Sequence, residues 1–330
     1  MATVELPAHE PTEANGHWRG HAFGLTLESA AEFPGLQAGS GEGSEQTTAW
    51  NEISAEEIDG AWHVADGDVL VEKRHVDGRL FLRIDHGDDL GYRIWAPYYG
   101  RHLISTDAAR IDSALPRVPP ARWQRLFFAQ VLPLAAALRG RTLFHASAAA
   151  LDGKVVALLG PSGAGKTSLT AHLVALGASF FTDDVLAFEV TESGVVAHPG
   201  PARLTIEPHE LARIPSTQEA RLGGCVGRSD KLMLEPQPYP SALPVSHLYF
   251  LRPEPAGGRI AIAEREGSPG RSLLSASFLT YLSSPDYLSR HLEVCARLDA
   301  TARLYDVHLP HGCRARDAAV HVLAHRQQSS

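Results

Sequence analysis

Cysteine is scarce in this sequence: Cys225, Cys295 and Cys313 are far apart and odd in number. That excludes a disulfide framework or a zinc ribbon and implies reduced thiols. Lys and Arg form no run, and the formal net charge is −8 with a pI near 6.1, so no surface built to track a phosphate backbone, and no nucleic-acid partner, is expected. Long apolar runs are missing too. The most apolar helical stretch, 126–138, is too short to cross a bilayer and contains Gln130, so no membrane span is expected. The opening MATVELPAHEPTEANG lacks a cationic start and an apolar core, which argues against a secretory signal and for a cytoplasmic protein. Histidine is plentiful, and His321 and His325 have i, i+4 spacing on an expected terminal helix, but no third ligand completes a motif, so the histidines read as surface or core residues.

What is present suits one large or two modest domains, at 44% hydrophobic and 21% charged residues in a chain of 330. Residues 1–20 and 38–49 read as a flexible leader and a long loop. From Gly60 the runs AWHVA, DVLVEKRHV, RLFLRI and YRIWAP, with Asp77-Gly78 between two of them, predict a β-meander. Residues 1–116 are therefore expected to form a small β-rich domain. Pro119 and Pro120 open an amphipathic helix over 122–138 closed by Gly140, which makes 117–140 a linking helix. From 141 to 330 the pattern alternates as in an α/β nucleotide-binding domain. Within it, LTIEPHELARI predicts a strand and helix, LGGCVGRSDK a mobile loop, and VSHLYFLRP and RIAIAE strands. The end from Ser272 predicts helix, interrupted near Pro285 and around 307–312.

One stretch carries chemistry. LLGPSGAGKTSL, residues 158–169, contains Gly160, Pro161, Ser162, Gly163, Ala164, Gly165, Lys166 and Thr167 in the pattern G-x-x-x-x-G-K-[ST], followed by Ser168. The preceding VVALL reads as a buried strand and the following SLTAHLVALG as a helix ending at Gly177, the context the pattern requires. Backbone amides of the loop and the helix N-terminus would cradle the β- and γ-phosphates of ATP. Lys166 would neutralise their charge, and the Thr167 hydroxyl would hold Mg²⁺. A helix of about 11 residues climbs roughly 16 Å, and about five strand residues recover that distance. The chain thus returns to the phosphate edge at Asp183-Asp184, two carboxylates suited to metal binding and to acting as base for a hydroxyl. Asp152-Gly153 predicts a two-residue hairpin with 151 opposite 154, which puts His145 opposite Gly160, where it could orient an Asp or contact phosphoryl oxygens.

His145, GPSGAGKT and Asp183-Asp184, in this order and near this spacing, resemble the kinase domain of HPr kinase/phosphorylase and its shorter bacterial relatives. The specific part is LFHASAAALDGKVVALLGPSGAGKTSLTAHLVALGASFFTDDVLAFE, with weaker similarity through HPGPARLTI, DKLML and VSHLYFL. The resemblance implies an α/β P-loop kinase domain of the HPr kinase / phosphoenolpyruvate carboxykinase type. It implies ATP- and Mg²⁺-dependent transfer to a serine hydroxyl, with Asp183, Asp184, His145 and Lys166 catalytic and Thr167, Asp183 and Asp184 around the metal. It leaves open which Asp is base. It also makes Arg203 and Lys231 candidate phosphate or acceptor contacts, and a homo-oligomer possible. Thr167 stands where the bifunctional enzyme usually has Ser. Neither that enzyme's glycine-rich motif after the kinase core nor its regulatory domain is recognisable here. Relatives of this shorter kind resemble kinases of ribosomal-peptide biosynthesis, including those that phosphorylate the C-terminal serine of a lasso-peptide precursor, so a peptide or protein serine is the expected acceptor. The N-terminal meander could bind a peptide as an added strand. A small hydroxyl acceptor such as free serine, and an ATP-gated binding module without transfer, are the competing readings.

Overall fold

The computed structural model describes residues 17–39, 47–62, 67–266 and 269–329. Residues 1–16 and most of the 38–49 loop therefore lie outside the described part, as does most of AWHVA.

The first sheet is built from β1 Trp18–Ala22, β2 Leu25–Ser29, β3 Gln37–Ala38, β4 Thr47–Glu52, β5 Asp68–Arg74, β6 Leu80–Gly87, β7 Gly91–Ala96, β8 Gly100–Ile104 and β9 Arg110–Ala114, in the order β3-β1-β2-β4-β9-β8-β7-β6-β5. β5 to β9 form the expected meander, antiparallel throughout. The leader and loop were read as structureless to Gly20 and Ala49, but Trp18–Ala22 and Thr47–Glu52 are strands. Their alternation is too short and too polar to show as a period-2 pattern, and pairing within the sheet stabilises them. AWHVA is not a strand at its start: Ala61 ends a helix, α1 Ala55–Ala61, set by a capping box in which Ser54 and Glu57 exchange hydrogen bonds.

The linking helix runs from α2 Pro120–Leu126 through a π-turn, Phe127–Val131, into α3 Leu132–Leu138. Pro133 has no N–H to give to the turn before it, and the wider π-turn accommodates that loss. Phe127, Val131, Leu134 and Ala135 are fully buried and share a core with Leu25, Leu27, Ile84, Ile94 and Ile111 of the first sheet, and with Leu143, Val185 and Ala187 beyond the helix. Each large side chain so buried stabilises the fold by about 2–3 kcal/mol. The first sheet is thereby packed directly onto the region that carries residues 160–168.

The second sheet comprises β10 Thr142–Phe144, β11 Ala146–Leu151, β12 Lys154–Leu159, β13 Ser179–Thr182, β14 Leu186–Thr191, β15 Gly194–His198, and, after the small sheet of β16 Leu204–Ile206, β17 Gly224–Arg228 and β18 Leu232–Glu235, the strands β19 Leu243–Glu254, β20 Ala261–Glu264 and β21 Arg303–Pro310. Its centre, β12-β19-β21, is parallel, with β11 and β13 antiparallel beside β12. The helices of this α/β region are α4 Lys166–Ala175, α5 Pro208–Leu211, α6 Ser216–Glu219, α7 Pro269–Leu274, α8 Pro285–Thr301 and α9 Ala315–Gln328.

Three expectations are corrected here. Gly224–Arg228 is a strand rather than a loop, because β18 supplies its partner. Pro285 opens α8 instead of interrupting a helix, with the Ser284 hydroxyl as its N-cap. Residues 303–310 form a strand of the central sheet, where β19 pairs along the whole of RLYDVHLP. Among the described residues the three cysteines are free thiols, and burial pushes that of Cys295 up to about 12.

Candidate active site

The hairpin register agrees with the sequence reading: Leu151 faces Lys154, and pairing continues to Ala146 opposite Leu159, so His145 and Gly160 lie side by side where the two strands end. β12 then gives way to the loop 160–165. Gly163 and Gly165 adopt φ of +80° and +91°, which an L side chain resists, and α4 starts at once with Lys166. No side chain caps α4, which leaves its first amides free to bind an anion. Pro161, Ser162, Gly163 and Gly165 are exposed, Ala164 is buried under the loop, and Thr167 and Ser168 are half-buried.

Lys166 is buried, and its ammonium donates to the Gly160 carbonyl at 2.8 Å, to the Pro161 carbonyl at 3.2 Å and to His145 Nε2 at 3.0 Å. An ammonium has no acceptor to offer, so Nε2 must accept and the ring proton must sit on Nδ1. Nδ1 faces Asp184, 3.0 Å from its main-chain oxygen and 3.2 Å from its carboxylate, and donates there. The ring is stacked on Phe278, which holds the alignment. Burial lowers the Lys166 pKa while Asp184 and Asp183 hold it up.

The two carboxylates have different surroundings. Asp183 is half-buried and lined by hydrogen-bond donors: its Oδ1 accepts from Ser147 Oγ at 2.7 Å and from Thr167 Oγ1 at 2.8 Å, and its Oδ2 from the Thr205 amide at 3.3 Å. Burial pushes its pKa up, the Asp184 charge adds to this, and the three hydrogen bonds oppose it. Asp184 has a side chain 56% exposed and a backbone φ of +70°, a left-handed conformation unusual outside glycine. The tight turn is fixed by Thr182 Oγ1, which donates to the Val185 carbonyl, and by Gly200, which packs against Thr182. Ser147, which also accepts from the Asp184 amide at 3.4 Å, was not singled out by the sequence reading. The signal lay in strand pairing: Ala148 opposite Thr182 puts residue 147 beside 183.

A cavity of about 420 Å³ adjoins Thr167, Asp183 and Asp184. Its walls come from the first sheet, the linking helix around its π-turn, and the small sheet. Arg203 and Lys231 line it too. Arg203 is held by Glu235 at 2.6 Å and Gln124 at 2.8 Å, and Lys231 pairs with Glu207 at 3.3 Å. Both are thus brought to the cavity, and both already have partners. Among the described residues no cluster of three His, Cys, Asp or Glu side chains could hold a metal; His321 bonds the Asp317 carbonyl and His325 the Tyr249 hydroxyl. A cation at this site would instead use the Thr167 hydroxyl and the Asp183 carboxylate, a sparse oxygen set of the kind Mg²⁺ completes with phosphate and water. The fit is supported by Asp183 itself, a half-buried carboxylate whose hydrogen bonds come from neutral donors.

No family model matches the chain, and no curated protein matches it. Among solved structures the chain is similar to the HPr(Ser) kinase/phosphatase from Coxiella burnetii, at 10% identity and a TM-score of 0.29 over 57% of this chain and 97% of that one. A likeness at this level leaves the assignment to the geometry of the site.

Proposed function

We propose that this protein is an ATP- and Mg²⁺-dependent phosphotransferase that moves the γ-phosphoryl group to a serine hydroxyl on a peptide or protein. One observation carries the reading: the line Lys166–His145–Asp184 beside a phosphate loop, with the Asp184 carboxylate open to a cavity that can admit an acceptor. The phosphates would lie on the 160–168 amides. Thr167 and Asp183 would hold Mg²⁺, which when bound supplies neutralisation of phosphate charge. Lys166 would leave His145 for the phosphates, as its three present contacts are to neutral acceptors. His145 Nδ1–H would keep the Asp184 carboxylate oriented. Asp184 would take the serine proton as the serine oxygen bonds to the γ-phosphorus and the bond to ADP breaks.

We base this division of labour on two observations: Asp183 accepts from the Thr167 hydroxyl that would hold the metal, and Asp184 is the more exposed of the two carboxylates that line the cavity. By resemblance, a serine of a ribosomal precursor peptide is the favoured acceptor, and a cytoplasmic setting suits ATP supply. The test is transfer from γ-labelled ATP to free serine, HPr and serine peptides, including precursor peptides encoded beside the gene. A labelled phosphoserine product supports the reading, and tight ATP binding with no labelled product contradicts it.

A further inference from the structure

The cavity has a wall that the transfer chemistry does not use. Four cationic side chains line it, Lys73, Arg125, Arg203 and Lys231, against the two carboxylates of the Asp pair. Arg203 and Lys231 are neutralised by Glu235 and Glu207. Lys73, from β5, and Arg125, from the linking helix, are exposed, and among the described residues neither has a carboxylate within ion-pair distance; Arg125 donates to the Ser229 hydroxyl at 3.3 Å. Phe81 of β6, 42% exposed, and the buried Phe128 line the same cavity. An exposed aromatic side chain sharing a cavity with Lys73, and with an Arg125 whose hydrogen bond goes to a hydroxyl that in turn donates to Asp230, is the composition of a subsite for an apolar group that ends in an anion.

Resting on the phosphotransferase reading above, we infer that this wall is the acceptor subsite and that it selects serine peptides carrying an anionic group beside an apolar residue close to the serine. Three considerations support it. The acceptor hydroxyl has to reach Asp184, which opens into this cavity, so the remainder of the acceptor lies against the opposite wall. Two carboxylates face an incoming peptide, and an anionic peptide would be repelled from them unless cations stood across the cavity. Lys73 and Phe81 come from the first sheet, which gives that sheet a role in choosing the substrate: it is packed through the linking helix onto the site. The anion is a carboxylate or a phosphate, with an acidic side chain, a peptide C-terminus or a phosphorylated residue as its source.

The experiment is phosphorylation of an oriented library of serine peptides by the full chain with γ-labelled ATP. The library is divided into neutral peptides, peptides with Asp or Glu near the serine, peptides with a phosphoserine neighbour, and otherwise neutral peptides ending in a free carboxylate or an amide. The wild type is expected to enrich one anionic arm, which identifies the source. Lys73→Ala and Arg125→Ala are each expected to lower kcat/KM for that arm about tenfold, through KM, with ATP affinity unchanged. Arg125→Glu is expected to shift preference toward Lys- and Arg-containing peptides. Product without anionic preference, or a preference that Arg125→Glu leaves intact, overturns the subsite while leaving the kinase reading in place. No product from any arm overturns both.

Discussion

Asp184 pairs a strained backbone with a functional carboxylate, and the two can be separated by substitution. At φ +70° an L side chain carries a left-handed penalty of roughly 1–2 kcal/mol, which glycine escapes. Glycine in turn frees the unfolded chain, at a cost of about 0.5–1 kcal/mol relative to alanine. Alanine and glycine both delete the carboxylate, its contact with His145 and its repulsion of Asp183, so those effects cancel between the two variants. Asp184→Gly is therefore expected to be more stable than Asp184→Ala by about 0.5–1 kcal/mol, the reverse of the order seen in a regular helix or strand. The assay is equilibrium urea unfolding of both variants without nucleotide. Asp184→Ala equal to or more stable than Asp184→Gly would refute the claim that the turn holds residue 184 in the left-handed region.

Two further outcomes follow from the same site. Because the folded pKa of Asp183 is raised, its protonated form stabilises the fold below the unfolded value of about 3.9, and that contribution is lost as pH rises through the folded value. Wild type should accordingly lose stability relative to Asp183→Asn as the pH rises above about 4 in metal-free buffer, and a difference that stays constant with pH would count against it. Gly200→Ala would place a methyl carbon onto Thr182 Oγ1, 2.9 Å from Thr182 Cβ and 3.2 Å from the Phe23 ring. It should cost about 1–3 kcal/mol in thermal or urea unfolding and lower transfer by displacing the Asp pair, whereas unchanged stability would mean the contact yields freely.

Much of the site was legible because it rests on local rules. The Asp152-Gly153 turn fixes a register by counting, and that register alone brings His145 to Gly160. The rise per residue of a helix and of a strand returns the chain to the loop at Asp183. What was not legible depends on partners distant in sequence. RLYDVHLP shows too little alternation to announce a strand, and its pairing with β19 and β20 makes it one. GCVGR reads as loop until β18 lies beside it. Lys73, Phe81 and Arg125 carry no motif, and come to share a cavity with Asp184 through the core common to the first sheet, the linking helix and Val185. Ser147 sits in an alanine-rich strand and acquires its role from the pairing of β11 with β13.

The account stands or falls on separating the holding of ATP from the use of it. Nucleotide affinity and γ-phosphoryl transfer should be measured together in wild type, Lys166→Ala and Asp184→Asn. Loss of binding in Lys166→Ala, and intact binding with transfer lowered by about 10²–10⁴ in Asp184→Asn, are the predicted results. Full transfer by Asp184→Asn, or transfer absent from the wild type while ATP is bound tightly, would contradict the account.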